Sequence, residues 1–383
     1  MPRPAERHLT SRLGVMVPLI AALGAFAVGA VMIWLLGASP WEGFKALISG
    51  AFGGRSELAD TALKATPLLL VGTGICIAFR ARVINVGGEG QILLGALFST
   101  VAAIALGDLP RPALLPLVLV AGTLGGGLWG AIPGALKAYL GVNEILSTIM
   151  LNIVAVQVVT YLLRGPLIDP AQAESGARIP QTERLSPKAD LPILLGGTRL
   201  HLGAVIAVGL AVAAWVFLWQ SSAGYRVRAV GAGPDAARYA GIPVRSMTML
   251  ALTLSGALCG LAGAILVFGS ESHRFITDGS STGFTGSAGF NGIVAALFGA
   301  LHPLWTIPAS FLFGGLLVGA NAMQREIQIP ASLVVALNGI VVLFVVASVD
   351  VRRRIMLRTS RPQAGAPHDS TEGSVLALDE VGV

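Results

Sequence analysis

The stretch FRARVINVGGEGQILLG, residues 79–95, decides how this chain is read. It sets Arg80, Arg82, Asn85 and Glu89 between two apolar runs and places glycine at 87, 88 and 90. The flanking runs approach the length of about 20 residues that a helix needs to cross a hydrocarbon core. Each interior glycine costs a helix about 1 kcal/mol relative to alanine, so the cluster predicts a break in the helical path. A carboxyl at membrane depth is costly, which points to a task for Glu89. The residues leave three roles open for it: pairing with Arg80 or Arg82 to pin the break, locking or gating helices, or contacting a solute.

The rest of the chain supports the membrane setting. Of 383 residues, 54% are hydrophobic and 12% charged, with a mean hydropathy of +0.76. Soluble domains carry roughly twice that charge. Backbone groups in lipid must be satisfied within their own segment, and the apolar runs are helix-length rather than alternating short strands. The fold class is therefore all-α: a polytopic membrane protein with about ten transmembrane segments and two broken-helix elements. The spans are drawn at 15–37, 62–79, 90–107, 113–138, 145–163, 201–220, 247–268, 288–300, 303–321 and 331–349. The eighth is too short to cross alone. The run after the basic N-terminus lacks a clear small-residue cleavage site and is read as a first span, not a removed signal peptide.

The net charge of +6 could suggest nucleic acid. The basic residues instead cluster at the ends of apolar runs, where they report topology. Arg3, Arg7 and Arg12 precede the first span, Arg226, Arg228, Arg238 and Arg245 lie between the sixth and seventh, and Arg352, Arg353, Arg354 and Arg358 follow the last. An even number of spans puts all three clusters, and both termini, in the cytoplasm. Residues 1–14 are then a cytoplasmic N-terminus, 15–350 the transmembrane domain, and 351–383 a cytoplasmic, disordered tail. The long loop 164–200 lies outside, and 38–61 is an external interfacial helix. Cys76 and Cys259 sit in apolar runs as core residues, with no disulfide framework or metal-ligand spacing. The histidines, at 8, 201, 273, 302 and 368, show no paired ligand spacing either.

The opening stretch has a partner. GGEGQILLGAL at 87–97 resembles GFNGIVAALFG at 289–299, and the second follows ESHRFITDGSSTGFTGSA, which cannot be a simple span. Paired glycine-interrupted segments in two halves point to a transporter's central site. A polar cluster, VNEILSTIMLN, opens the fifth span; Asn143 can cap that helix, while Glu144, Thr148 and Asn152 share one face. Gly122, Gly126, Gly130 and Gly134 line the fourth span, with Gly256 and Gly260 in the seventh and Gly315 and Gly319 in the ninth. Such stripes let helices approach closely.

Between the sixth and seventh spans lies GYRVRAVGAGPDAARYAGIPVRSM, residues 224–247. Asp235, Ala236, Ala237, Arg238, Tyr239, Ala240 and Gly241 read [DE]-A-A-x-x-x-G, a short helix begun by Pro234 and ended by Gly241. No phosphate-binding G-x-x-x-x-G-K-[ST] loop occurs, so any ATP hydrolysis belongs to another chain.

With these residues in hand, the chain resembles the permeases of ABC importers in the branched-chain amino acid, ribose and nucleoside superfamily. FRARVINVGGEGQ is similar to the FRAGxFNIGxEGQ stretch of the nucleoside type, and NEILSTIMLN to its NExxSTxMLN. The GIDLSVG-like stretch of ribose permeases and the NLAHGE-like stretch of amino acid permeases are absent. Arg82 departs from the pattern, which commonly has glycine there. The resemblance implies a bacterial plasma (inner) membrane location and a translocation pathway for nucleosides. It implies an extracytoplasmic substrate-binding protein, a second permease subunit, and a double-domain cytoplasmic ATPase that docks on a coupling loop within 220–246. The chain itself is then no enzyme; it holds no cofactor, and ATP and Mg are bound by the partner. Pathway candidates are Asn85, Glu89, Asn143, Asn152, Phe290 and Asn291; Asp235, Ala236, Ala237, Arg238, Tyr239 and Gly241 are the docking candidates. The alternatives are the same architecture importing ribose or another sugar, and an ion-coupled transporter using Glu89 or Glu144.

Overall fold

The computed structural model describes residues 23, 24, 26–174 and 179–330, with isolated positions between 336 and 347. The described residues are helical and contain no strand beyond two isolated bridges, Gln181 with Ile276 and Ile193 with His201. Seven helices are long and apolar enough to cross a membrane: α3 (Arg55–Arg80), α4 (Gly88–Ala105), α5 (Arg111–Leu140), α6 (Glu144–Arg164), α8 (Gly203–Gln220), α11 (Val244–Phe268) and α14 (Pro303–Ile327). They correspond to seven of the ten expected spans. The expected 288–300 span is the 11-residue helix α13 (Ala288–Phe298). Of the expected 15–37 span, α1 (Phe26–Leu35) is described as a short apolar helix. The expected 331–349 span, the 1–14 segment and the 351–383 tail lie outside the described residues, apart from those isolated positions.

The expected interfacial helix at 38–61 has a different boundary. Ser39 accepts from the Glu42 N–H and starts α2 (Pro40–Phe52). Gly53 and Gly54 then end it, and α3 begins at Arg55. The first turns of α3 are thus polar, carrying Glu57, Asp60 and Lys64, and this concealed the true start behind the apolar run.

Helices α3, α4 and α11 form the centre and are mostly buried; α6 and α8 are buried along a minor face and keep their apolar faces outward. Exposed Leu124, Leu128, Ile153, Tyr161 and Val205 are at home against lipid acyl chains. Without a hydrophobic difference between lipid and leucine, the centre is held by close packing. A β-carbon on Gly126 would lie 2.4 Å from the Gly256 carbonyl oxygen, and one on Gly260 would lie 2.3 Å from that of Gly122. Gly95 of α4 meets the same place, 2.2 Å from the Gly260 carbonyl oxygen. Three helices therefore touch backbone to backbone along α5 and α11. The stripe in α14 serves another contact: Gly315 faces the Phe52 ring and Gly319 the Leu47 carbonyl of α2.

The 164–200 loop has defined structure over its described residues. It holds α7 (Pro170–Ala173) and a 3-10 turn at Pro187–Ala189, and buries Leu185, Ala189 and Leu191. Backbone bonds run from Thr182 to Phe275, Leu185 to His273 and Leu191 to Phe268. An ion pair of Arg274 with Asp169 at 2.7 Å and a contact of His273 Nδ1 with the Asp190 carboxyl at 2.9 Å reinforce the seam. The loop covers one end of the bundle beside the second glycine-interrupted segment.

Candidate functional site

Both glycine-interrupted segments join separate helices. After Arg80, residues 81–87 form a connection, with Ala81, Val83, Asn85 and Gly87 buried, before α4 starts at Gly88. After Phe268 the chain runs through a loop and the short helix α12 (Ser281–Thr285) into α13. The starts of α4 and α13 then meet. A β-carbon on Gly289 would sit 2.5 Å from the Glu89 backbone nitrogen and 2.9 Å from its carboxyl carbon. Only glycine lets the two helix starts approach so closely.

Glu89 stands at this contact with no exposed surface. Its Oε1 accepts from the Phe290 N–H at 3.2 Å, and its Oε2 accepts from the Thr285 hydroxyl. Glu89 does not pair with Arg80 or Arg82, one of the readings the residues left open. Arg80 instead donates to the Leu301 carbonyl at 3.1 Å, and Arg82 is exposed. The carboxyl serves the first turn of a neighbouring helix, whose free N–H groups and dipole favour an oxygen acceptor.

The connection itself is held from two sides. Asn85 has no exposed surface; its Nδ2 donates to Gln91 Oε1 and to Ser255 Oγ of α11, both at 2.9 Å. Its Oδ1 accepts from the Gly87 N–H at 2.9 Å and from Gln91 Nε2 at 3.1 Å. Asn152 of α6 reads the backbone in both directions: its Oδ1 accepts from the Gly90 N–H at 2.8 Å and its Nδ2 donates to the Val86 carbonyl at 3.0 Å. These bonds satisfy amides that no helix serves, which in lipid would otherwise cost several kcal/mol each. Asn143 caps α6, accepting from Ile145 and Leu146, and Glu144 pairs with Lys137 at 2.8 Å.

Arg82 adopts φ +59°, the left-handed conformation that glycine accepts freely. The departure from the family pattern therefore keeps the turn and adds strain. Arg82→Gly is expected to stabilise the protein by about 1 kcal/mol, read as a rise of a few degrees in apparent melting temperature.

A cavity of about 980 Å³ opens beside this junction. Thr285 and Phe290 form part of its wall, and Glu89 holds both from behind. Of the pathway candidates, Phe290 and Asn291 line the cavity; Phe290 is 44% exposed. Asn85 and Asn152 brace the α4 connection and Asn143 caps α6, away from the cavity lining. Lys64, His201, Phe284 and Asn321 also line it, residues the sequence reading did not select. Lys64 and Asn321 are polar positions inside spanning helices, a signal that could have marked them. Burial holds the His201 imidazole below its ordinary value, and its Nδ1 accepts from the Gly203 N–H at 3.1 Å. At the rim, hydrogen bonds from the Ser280 N–H and hydroxyl hold the Asp278 carboxyl below the usual range.

The 224–247 loop folds as two short helices, α9 (Ser222–Ala232) and α10 (Pro234–Tyr239). Ala237 is buried against the body, whereas Asp235 and Arg238 are exposed and Tyr239 is 95% exposed. Gly241, at φ +77°, ends α10; the Ile242 N–H then reaches the Ala237 carbonyl at 2.9 Å, closing the C-terminal cap. α9 crosses the end of α3 closely, since a β-carbon on Gly231 would lie 2.0 Å from the Arg80 carbonyl oxygen.

Known proteins resemble this chain over most of its length. The guanosine ABC transporter permease protein NupP of Bacillus subtilis is 36% identical over 341 residues, 88% of this chain and 94% of the relative. The glucose ABC transporter permease protein TsgB13 of Haloferax volcanii is 32% identical, covering 96% of this chain and 97% of its own. The nucleoside ABC transporter permease protein NupB of Lactococcus lactis is 30% identical, covering 86% and 90%. The family described as branched-chain amino acid transport system / permease component matches residues 57–346, which include every described spanning helix from α4 on and most of α3. The chain belongs to this family of membrane permease components.

Proposed function

We propose that this chain is the translocation subunit of an ABC importer for nucleosides. The observation that carries the cargo is the cavity beside the junction of α4 with α13. Its volume, about 980 Å³, is of the size of small-molecule sites. Phe284 and Phe290 offer aromatic faces to a planar base, and Asn291 and Asn321 offer amide groups to its polar edges. Ser287 adds a hydroxyl suited to ribose hydroxyls. Two of the three relatives described above carry guanosine or nucleoside in their names. The second reading is a sugar, favoured by the glucose permease relative.

In this reading an extracytoplasmic binding protein delivers the solute, and this chain forms the pathway with a second permease subunit. The exposed face of α10 docks on a cytoplasmic double-domain ATPase, which binds ATP and Mg. Both termini then face the cytoplasm of the bacterial plasma membrane. Motion of α10 reaches the transmembrane core through α9, which rests on the end of α3 at Gly231.

The test is solute-stimulated ATP hydrolysis in the reconstituted complex. Nucleosides are expected to stimulate it and free pentose or glucose not to; the opposite pattern would overturn the nucleoside assignment. Gly241→Asp should uncouple transport. It puts a side chain at a left-handed position and a negative charge at the C-terminal end of α10, where the helix dipole disfavours one. Insertion should persist while uptake is lost; normal uptake would refute docking through this loop.

A further inference from the structure

Three polar side chains gather around one indole on the side of the bundle that carries α9. The Arg80 guanidinium carbon lies 5.0 Å and that of Arg228 5.8 Å from the Trp219 ring centre. The His302 ring lies 4.8 Å from the same indole. Arg80 spends one N–H on the Leu301 carbonyl. The Nε atoms of both arginines and the Nδ1 of His302 are buried with no hydrogen-bond partner among the described residues. Among the described residues neither arginine forms an ion pair. Two guanidiniums sharing one indole repel each other, and the ring's quadrupole offsets only part of that cost. Among the described residues no carboxylate answers the two guanidiniums.

Its position says what kind. Arg80 is the last residue of α3, Trp219 is next to the last of α8, and His302 precedes the first of α14. All three therefore lie where apolar helices end, the level of lipid headgroups. Tyr225 and Trp305, on neighbouring elements, are 61% and 67% exposed, as aromatic residues at that level are. Basic pockets between spanning helices suit anionic headgroups, and guanidiniums match phosphate oxygens with paired N–H groups. Arg82 and Arg226, both exposed nearby in sequence, add to the field.

We infer that Arg80 and Arg228, stacked on Trp219, bind the phosphate of an anionic phospholipid headgroup. The bound lipid would join the ends of α3 and α8 to α9, so the same elements that carry the coupling loop would sense lipid charge.

The test is native mass spectrometry of the assembled transporter released from detergent after exposure to phosphatidylglycerol or phosphatidylcholine of matched chains. The wild type is expected to retain phosphatidylglycerol preferentially. Arg80→Gln and Arg228→Gln should each lower that retention about fivefold, and Arg228→Lys should recover part of it. Equal retention of the two lipids by the wild type would overturn the inference, whether or not the glutamine variants fold. So would unchanged retention in folded glutamine variants. Inorganic phosphate should compete weakly; displacement of the lipid at equal concentration would show a free-anion site and overturn the lipid assignment.

Discussion

Gly260→Val is expected to remove most folded protein from the membrane. The valine β-carbon alone would stand 2.3 Å from the Gly122 carbonyl oxygen and within 2.7 Å of the Gly126 backbone. These neighbours are backbone atoms of α5, so no side-chain rotation relieves them. α5 and α11 must separate, and α4, which meets Gly260 through Gly95, loses its seat as well. Overpacking a core by a few methylenes costs about 1–3 kcal/mol when side chains can move. Displacing two helices from backbone contact costs more, against a total stability of about 5–15 kcal/mol. The measurement is detergent-extracted monodisperse yield and apparent melting temperature. Gly209→Val in α8 is the control, because nothing lies within 4 Å of its β-carbon position. A Gly260→Val protein as stable as the Gly209→Val protein would show that the seam does not hold the fold.

Glu89→Ala is expected to cost at least tenfold in uptake while the protein still inserts. The change strips acceptors from the Phe290 N–H and the Thr285 hydroxyl at a fully buried contact. A hydrogen bond contributes about 0.5–1.5 kcal/mol net, and a buried donor left unmet costs about 1–3 kcal/mol. The junction of α4 with α13 loosens, and the cavity wall formed by Thr285 and Phe290 loses its support. Glu89→Gln retains one carbonyl acceptor and should fall between the two. In a double-mutant cycle, Glu89→Ala and Thr285→Val should couple by about 0.5–3 kcal/mol in melting stability. Independent effects of the two changes would mean that the carboxyl acts elsewhere. Proton-driven uptake lost in Glu89→Gln, with ATP dispensable, would instead favour the ion-coupled reading.

The all-helical membrane class, seven of the spans, and the places where the helical path stops were legible because each is local. Apolar length fixes a span, glycine clusters fix an interruption, and Asn143 followed by a helical run fixes a cap. The glycine stripes were legible too, as a device for close packing. Their partners were not: α5 faces α11, whereas the α14 stripe faces α2. A stripe says that something comes near, not which helix does.

The site shows the same division. GGEG at 87–90 and GFNG at 289–292 identified themselves in sequence as a pair. That their two helix starts touch, with the Glu89 carboxyl serving Phe290 and Thr285 about 200 residues away, depends on the packing of α3, α4 and α13. Asn85 and Asn152 were both visible as polar residues in an apolar setting. Tertiary structure alone assigned them to the α4 connection, because their partners are the Gln91 and Ser255 side chains and backbone groups of Val86, Gly87 and Gly90, which no local pattern brings together. The sequence by itself determined a bundle of spanning helices, its two interruptions and a short helix between Asp235 and Gly241. Tertiary structure decided what meets at the interruptions and which side chains face the cavity, because unmet backbone polarity in lipid must be satisfied by whatever packing brings within reach.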